Sequence, residues 1–211
     1  KPRPAALKFK RDVSLYKKQM ARLTLAAFII SIIIFLYIWL PTRNPTTYLS
    51  FLESKKLFLQ GNNQEVILNC NQIIKKDPAF LAVYPLIADT YQRQGDRESA
   101  LRYYFDYALS SERKHDKNRL SCAYIGIAWV YHQGGEYPKA FDFYSKAITL
   151  SKENHDRLNE AVALRKLAVW YMDKEDYNKA LELLMKSSEI NRERQQIYEH
   201  RYNLACDYFD M

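Results

Sequence analysis

Residues 127–147 read IAWVYHQGGEYPKAFDFYSKA, and the spacing within them decides the fold. Ile127, Ala128 and Tyr131 precede Gly135-Glu136, and Ala140, Tyr144 and Ala147 follow it. Apolar residues at steps of three, four and seven lie on one helix face. The small Ala128 permits close helix approach, the Tyr three residues on fills the gap beside it, and Ala140 lets a second helix lie back against the first. Gly135 supplies the tight turn at a helix end, where positive φ is often required. The stretch therefore predicts an antiparallel pair of helices.

The same pattern recurs on either side. Forty residues earlier stand Ile87-Ala88-x-x-Tyr91, Gly95-Asp96, Ala100 and Tyr104; forty later stand Leu167-Ala168-x-x-Tyr171, Glu175-Asp176, Ala180 and Leu184. A weaker copy runs through Gly61, Val66, Cys70, Ile73 and Asp77-Pro78, and Leu204-Ala205-x-x-Tyr208 starts a fragment of another. One such pair cannot bury its apolar face alone and has to stack on its neighbours. The expectation is an all-α solenoid over residues 46–211, with units starting near 47, 81, 121 and 161 and a partial unit near 198.

This arrangement resembles the tetratricopeptide repeat family, whose signature of about 34 residues places large, small and aromatic residues, then Gly, Ala, aromatic and Pro, at these offsets. Two departures stand out. The units are 40 residues long, with extra polar turns expected at 112–119 and 152–159, similar to the longer-helix variants of the family. The first unit is degenerate, with Ser50 and Glu53 where apolar side chains are usual. The resemblance implies that first helices of successive units line a concave groove for peptide segments or partner helices. Mapped by offset, that groove would present Asp89, Gln92 and Arg93, then Ile125, Trp129 and His132, then Arg165, Val169 and Met172. Trp129 is the expected anchor, because buried Trp and Arg dominate interface energetics. Family members that clamp a chaperone's terminal carboxylate use Lys and Asn at fixed groove positions; here Pro85-Leu86 or Ile125-Gly126 stand there, so that clamp is not expected.

Ahead of the repeats, residues 23–40 read LTLAAFIISIIIFLYIWL, 18 residues with no charge. At about 1.5 Å per helical residue the run reaches roughly 27 Å, close to the hydrocarbon thickness of a bilayer. It is longer than the apolar core of a secretory signal and ends in Trp39-Leu40-Pro41, bulky where a cleavage site needs small residues. A transmembrane helix is expected, with Arg22, Tyr37 and Trp39 at the membrane interface, a basic tail at 1–22 before it and a linker at 41–45 after it.

Charge follows the same division. Up to Arg43 there are nine Lys/Arg against the single acid Asp12, which accounts for the whole formal charge of +8; the remainder is balanced, 23 against 23. Lys/Arg beside a membrane helix marks the cytoplasmic side. The N-terminus is then cytoplasmic and the repeats lie opposite, facing the periplasm if the source is bacterial. The basic cluster would be drawn to anionic membrane lipid. A balanced repeat domain offers no basic stripe for nucleic acid, so none is expected as a partner.

No phosphate-binding Gly-rich loop, G-x-S-x-G elbow or H-E-x-x-H pair is present, and neither catalysis nor a cofactor is expected. The pairs His115-Asp116 and His155-Asp156 recur at the repeat offset, but stacked units would hold them apart, and Asp before a helix caps its free N–H groups. Cys70, Cys122 and Cys206 are odd in number and far apart, in apolar helical contexts, so they read as buried small hydrophobes rather than a disulfide framework or metal site. The chain begins at Lys1 and stops just after what reads as the first helix of a unit, which leaves a terminal cap, further repeats or another domain open. The functional expectation is a membrane-anchored, non-catalytic scaffold or assembly factor. A structural accessory subunit of a membrane complex, or the sensor region of a longer regulator, are the alternatives.

Overall fold

The computed structural model describes Phe28, Ser31 and residues 45–209. The basic tail, the apolar run with Arg22, Tyr37 and Trp39, and the linker to residue 44 otherwise lie outside the described residues. No helix among the described residues is long and apolar enough to cross a membrane. The chain separates into two compact units, Lys1–Tyr48 and Leu49–Met211, and the second carries the repeats.

Eight helices follow one another over residues 45–209: α1 (Pro45–Gln60), α2 (Asn63–Lys76), α3 (Val83–Arg93), α4 (Arg97–Arg113), α5 (Lys117–Gln133), α6 (Tyr137–Glu153), α7 (Arg157–Asp173) and α8 (Tyr177–Phe209). No strand occurs among the described residues. Most junctions in the stack are closed the same way. A residue of positive φ ends one helix: Gly61, Gly95 and Gly135, but also His115, His155 and Glu175, at 53° to 61°. Its N–H bonds back three residues and the next N–H five back, as in His115 to Glu112 O and Asp116 to Ser111 O, the double closure of a Schellman turn. The residue after it then starts the next helix. The carboxylates of Asp96, Asp116, Asp156 and Asp176 each accept the backbone N–H three residues on, at 3.0 to 3.2 Å. The two His-Asp pairs are thus turn and cap in one.

The expected polar turns at 112–119 and 152–159 are shorter than that. Helix continues to Arg113 and resumes at Lys117, and likewise stops at Glu153 and resumes at Arg157. The early caps at Asp116 and Asp156 start the first helices ahead of residues 121 and 161. A second difference lies at the far end: α8 runs unbroken from Tyr177 to Phe209, so Leu204-Ala205-x-x-Tyr208 continues that helix rather than opening a new one after a turn.

Apolar clusters run between successive pairs. Val66, Cys70 and Ile73 of α2 meet Val83 and Ile87 of α3; Tyr104 and Tyr107 of α4 meet Ala123 and Ile127 of α5; Tyr144 of α6 meets Ala128 and Leu167; Ile190 of α8 meets Ala161 and Leu164. Burying one such side chain stabilises by about 1.5–3 kcal/mol. The first helices α3, α5 and α7 also touch one another in sequence, whereas α4, α6 and α8 make no mutual contact among the described residues. A stack whose first helices lie closer together than its second ones curves towards the first. That gives α3, α5 and α7 the inner side.

Candidate interaction groove

The residues at one repeat position, Asp89, Trp129 and Val169, lead along the inner side, and each is held differently. The hydroxyl of Tyr104 on α4 donates to the Asp89 carboxylate. Tyr104 reaches it because its ring fills the space beside Gly126: a Cβ there would stand 2.1 Å from the ring. Glycine within a helix costs about 1 kcal/mol relative to alanine, and here that notch admits an aromatic ring. Asp89 is exposed on one side and crowded by protein on the others. That crowding raises its carboxyl above the ordinary range, against the hydrogen bond from Tyr104 and the charges of Lys166 and Arg93.

Trp129 is half-buried, and the Lys166 ammonium sits over its ring, 3.4 Å from the centroid. Burial lowers the Lys166 pKa, and neighbouring Arg165 lowers it further, while Asp89 opposes both. Asp89, Trp129, Lys166 and Arg165 therefore form one cluster drawn from α3, α5 and α7. Around it, Gln92 Nε2 donates to Gln133 Oε1 at 2.6 Å and ties α3 to α5. Arg93 lies over the Phe58 ring at 3.6 Å and donates to Phe58 O, which anchors it on α1. Val169 is half-buried, and Arg165 and Met172 are exposed.

Two of the expected groove residues turn inward. Ile125 is buried with Ala147 and Ala163. His132 is 4% exposed, its Nε2 donating to Asp173 Oδ2 at 2.8 Å, with the rings of Trp129, Tyr137 and Tyr144 around it. Both are packing residues between the second and third units. Their position one turn to the side of Trp129 aims them at the following pair.

The groove expected from the repeat offsets omits Lys166, Tyr104 and Gly126. Lys166 has a signal in the repeat itself, since it stands at the offset of Leu86 and Gly126, the very position inspected for a clamp. Of the thiols, Cys70 is buried and held up at about 12, and Cys122 is half-buried at about 11, each raised first by desolvation. Among the described residues no group of three or more His, Cys, Asp or Glu side chains could hold a metal ion.

Comparison with known proteins bears on the fold. The family model described as tetratricopeptide repeat matches residues 79–153 and 119–193, together more than half of the chain. No curated protein matches in sequence. The structure of BtubC (BKLC) from P. vanneervenii is similar with a TM-score of 0.60 at 13% identity, over 87% of this chain and 74% of that one. A single-substitution variant of a putative kinesin light chain from Podosopora anserina, described by its nearly identical TPR-like repeats, gives 0.57 at 14% identity over 93% and 99%. A MamA RS-1 double mutant gives 0.52 at 16% over 87% and 96%. At these identities the likeness shows a shared helical-repeat fold.

Proposed function

Because this chain belongs to the tetratricopeptide repeat family, we propose that it works as a non-catalytic protein-interaction scaffold, tethered to a membrane by residues 23–40 and holding segments of partner proteins against α3, α5 and α7. The observation that carries the reading is the cluster of Trp129, Lys166, Arg165 and Asp89, which combines an aromatic platform with both signs of charge on the inner side of a rigid stack. Such anchors supply most of the energy in protein interfaces. Met172 and Val169 extend the platform with apolar surface. Units of 40 residues belong to the same reading, supported by second helices that begin at Arg97, Tyr137 and Tyr177.

The uncharged run and the basic residues before it support the tether, with the N-terminus cytoplasmic and the repeats opposite. Tethering confines the groove to a thin layer above the bilayer and raises its effective concentration towards partners in the same membrane. The test is affinity recovery from detergent-solubilised native membranes with the intact chain, Trp129→Ala and Arg165→Ala. Co-purifying proteins should be lost from both variants while circular dichroism stays unchanged. Equal recovery from all three would remove the groove from the account.

A further inference from the structure

We propose that a second copy of this chain covers the open apolar face of α8, each copy supplying the end of its own α8 as the missing first helix of the other. The molecule shows what such a face requires. On α6, Tyr144 is covered by Leu167 of α7, while Phe141 meets Trp170 and Tyr171, with ring centroids 5.3 and 6.4 Å away. The same repeat positions on α8 are Leu184 and Leu181, and they lie open, with Tyr177 and Met185 beside them; Leu181 is 59% and Met185 64% exposed. Tyr144, by contrast, is fully buried.

The chemistry that covers this face in the interior is a helix carrying large-small-x-x-aromatic, as Leu167-Ala168-x-x-Tyr171 does. The chain carries one more such sequence, Leu204-Ala205-x-x-Tyr208, on the continuation of α8 itself. A straight helix cannot fold its own end back over its beginning: from Leu184 to Leu204 it travels about 30 Å at 1.5 Å per residue. A two-fold axis solves the geometry. Two α8 helices laid antiparallel bring Leu204 of one copy to Leu184 of the other and Tyr208 to Leu181, the pairings that Leu167 and Tyr171 make with Tyr144 and Phe141. Because the contact is isologous, both faces close at once. Near the midpoint Glu189, Arg192, Glu193 and Arg194 offer both signs of charge, which suits a helix meeting its own copy in reverse.

Cysteine pairing across copies tests this on the full chain in mild detergent. Leu184→Cys and Leu204→Cys are made as separate single variants in a Cys206→Ser background, mixed, and oxidised; burial keeps Cys70 and Cys122 as unreactive thiols. The expected result is a disulfide-linked heterodimer, together with a protein mass by light scattering of twice one chain. The variant Leu181→Asp should bring that mass down to a single chain with helicity retained. A link found only within one chain of the double variant would mean that α8 turns back on itself, and would overturn the proposal. So would a single-chain mass in the unmodified protein, or a doubled mass that survives Leu181→Asp.

Discussion

Tyr104 and Tyr144 occupy the same position in successive units, yet only one of them completes its hydrogen bond. The hydroxyl of Tyr104 finds the Asp89 carboxylate. That of Tyr144 is buried with no partner, because the residue in the place of Asp89 is Trp129. The residue facing each junction differs as well. Gly126 opens the first junction to the ring of Tyr104, whereas Lys166, at the same offset, lies over Trp129 in the second. The repeat fixes where helices run and leaves these positions free. The first junction uses them for a positioned carboxylate, and the second for an aromatic platform topped by a cation.

The sharpest way to break this contrast is to fill the notch. Gly126→Ala places a Cβ within 2.1 Å of the Tyr104 ring, so the ring has to leave and its bond to Asp89 goes with it. Overpacking of this kind costs about 1–3 kcal/mol, and the lost hydrogen bond adds to it, against the roughly 1 kcal/mol that alanine returns to a helix. We expect a net loss of about 2 kcal/mol in urea unfolding followed by circular dichroism. A neutral or stabilised variant would show that the ring has room elsewhere.

The two tyrosines should then separate cleanly. Tyr104→Phe removes a hydrogen bond to a charged acceptor, worth about 1.5–3 kcal/mol. Tyr144→Phe removes an unpartnered hydroxyl and should fall within about 0.5 kcal/mol of the parent, or gain slightly. Equal losses would put a partner on Tyr144. The pH dependence gives the contrast a second axis. Asp89 has a raised pKa in the fold, so the stability linked to it is fully present below the ordinary carboxylate value of 3.8 and is lost as pH rises through the folded value. Asp89→Asn, which keeps an acceptor for Tyr104, should therefore be more stable than the parent at neutral pH and lose that advantage in acid. Urea unfolding at both pH values checks the sign.

How much of this the residues announce depends on whether the information is local. The turns are legible because Gly95, Gly135 and the Asp caps act within a few residues of themselves. The groove is legible only as a repeat position. Whether its side chain faces solvent depends on what the next helix brings, and so Trp129 stays accessible while Ile125 and His132 are taken into the packing. Gly126 reads as a mild helix fault until the Tyr104 ring is seen beside it. The unbroken α8 does have a local signal. Between Asn191 and Glu199 there is no Gly, and no Asp-led start follows an exit residue, only good helix formers such as Arg192, Glu193, Arg194, Gln195 and Gln196. The repeat fragment at 204–208 suggests a turn that nothing in that stretch can make.

A smaller effect separates the two kinds of turn. Asp116 and Asp156 cap α5 and α7 directly, and replacing either by Ala should cost about 1 kcal/mol. The residue before each is a histidine held at φ 53° or 54°, where the other junctions place Gly95 or Gly135 at 84° and 77°. A side chain with a Cβ is strained in that region, whereas glycine occupies it freely but loses more backbone entropy on folding. The balance favours glycine, so His115→Gly or His155→Gly should stabilise by about 0.5 kcal/mol, and the reverse change Gly95→His should cost a similar amount. Thermal unfolding of the three variants side by side measures it. If His155→Gly destabilises, the histidine ring makes a contact worth more than the strain it carries, and the turns between units are then specified by side chains rather than by backbone freedom alone.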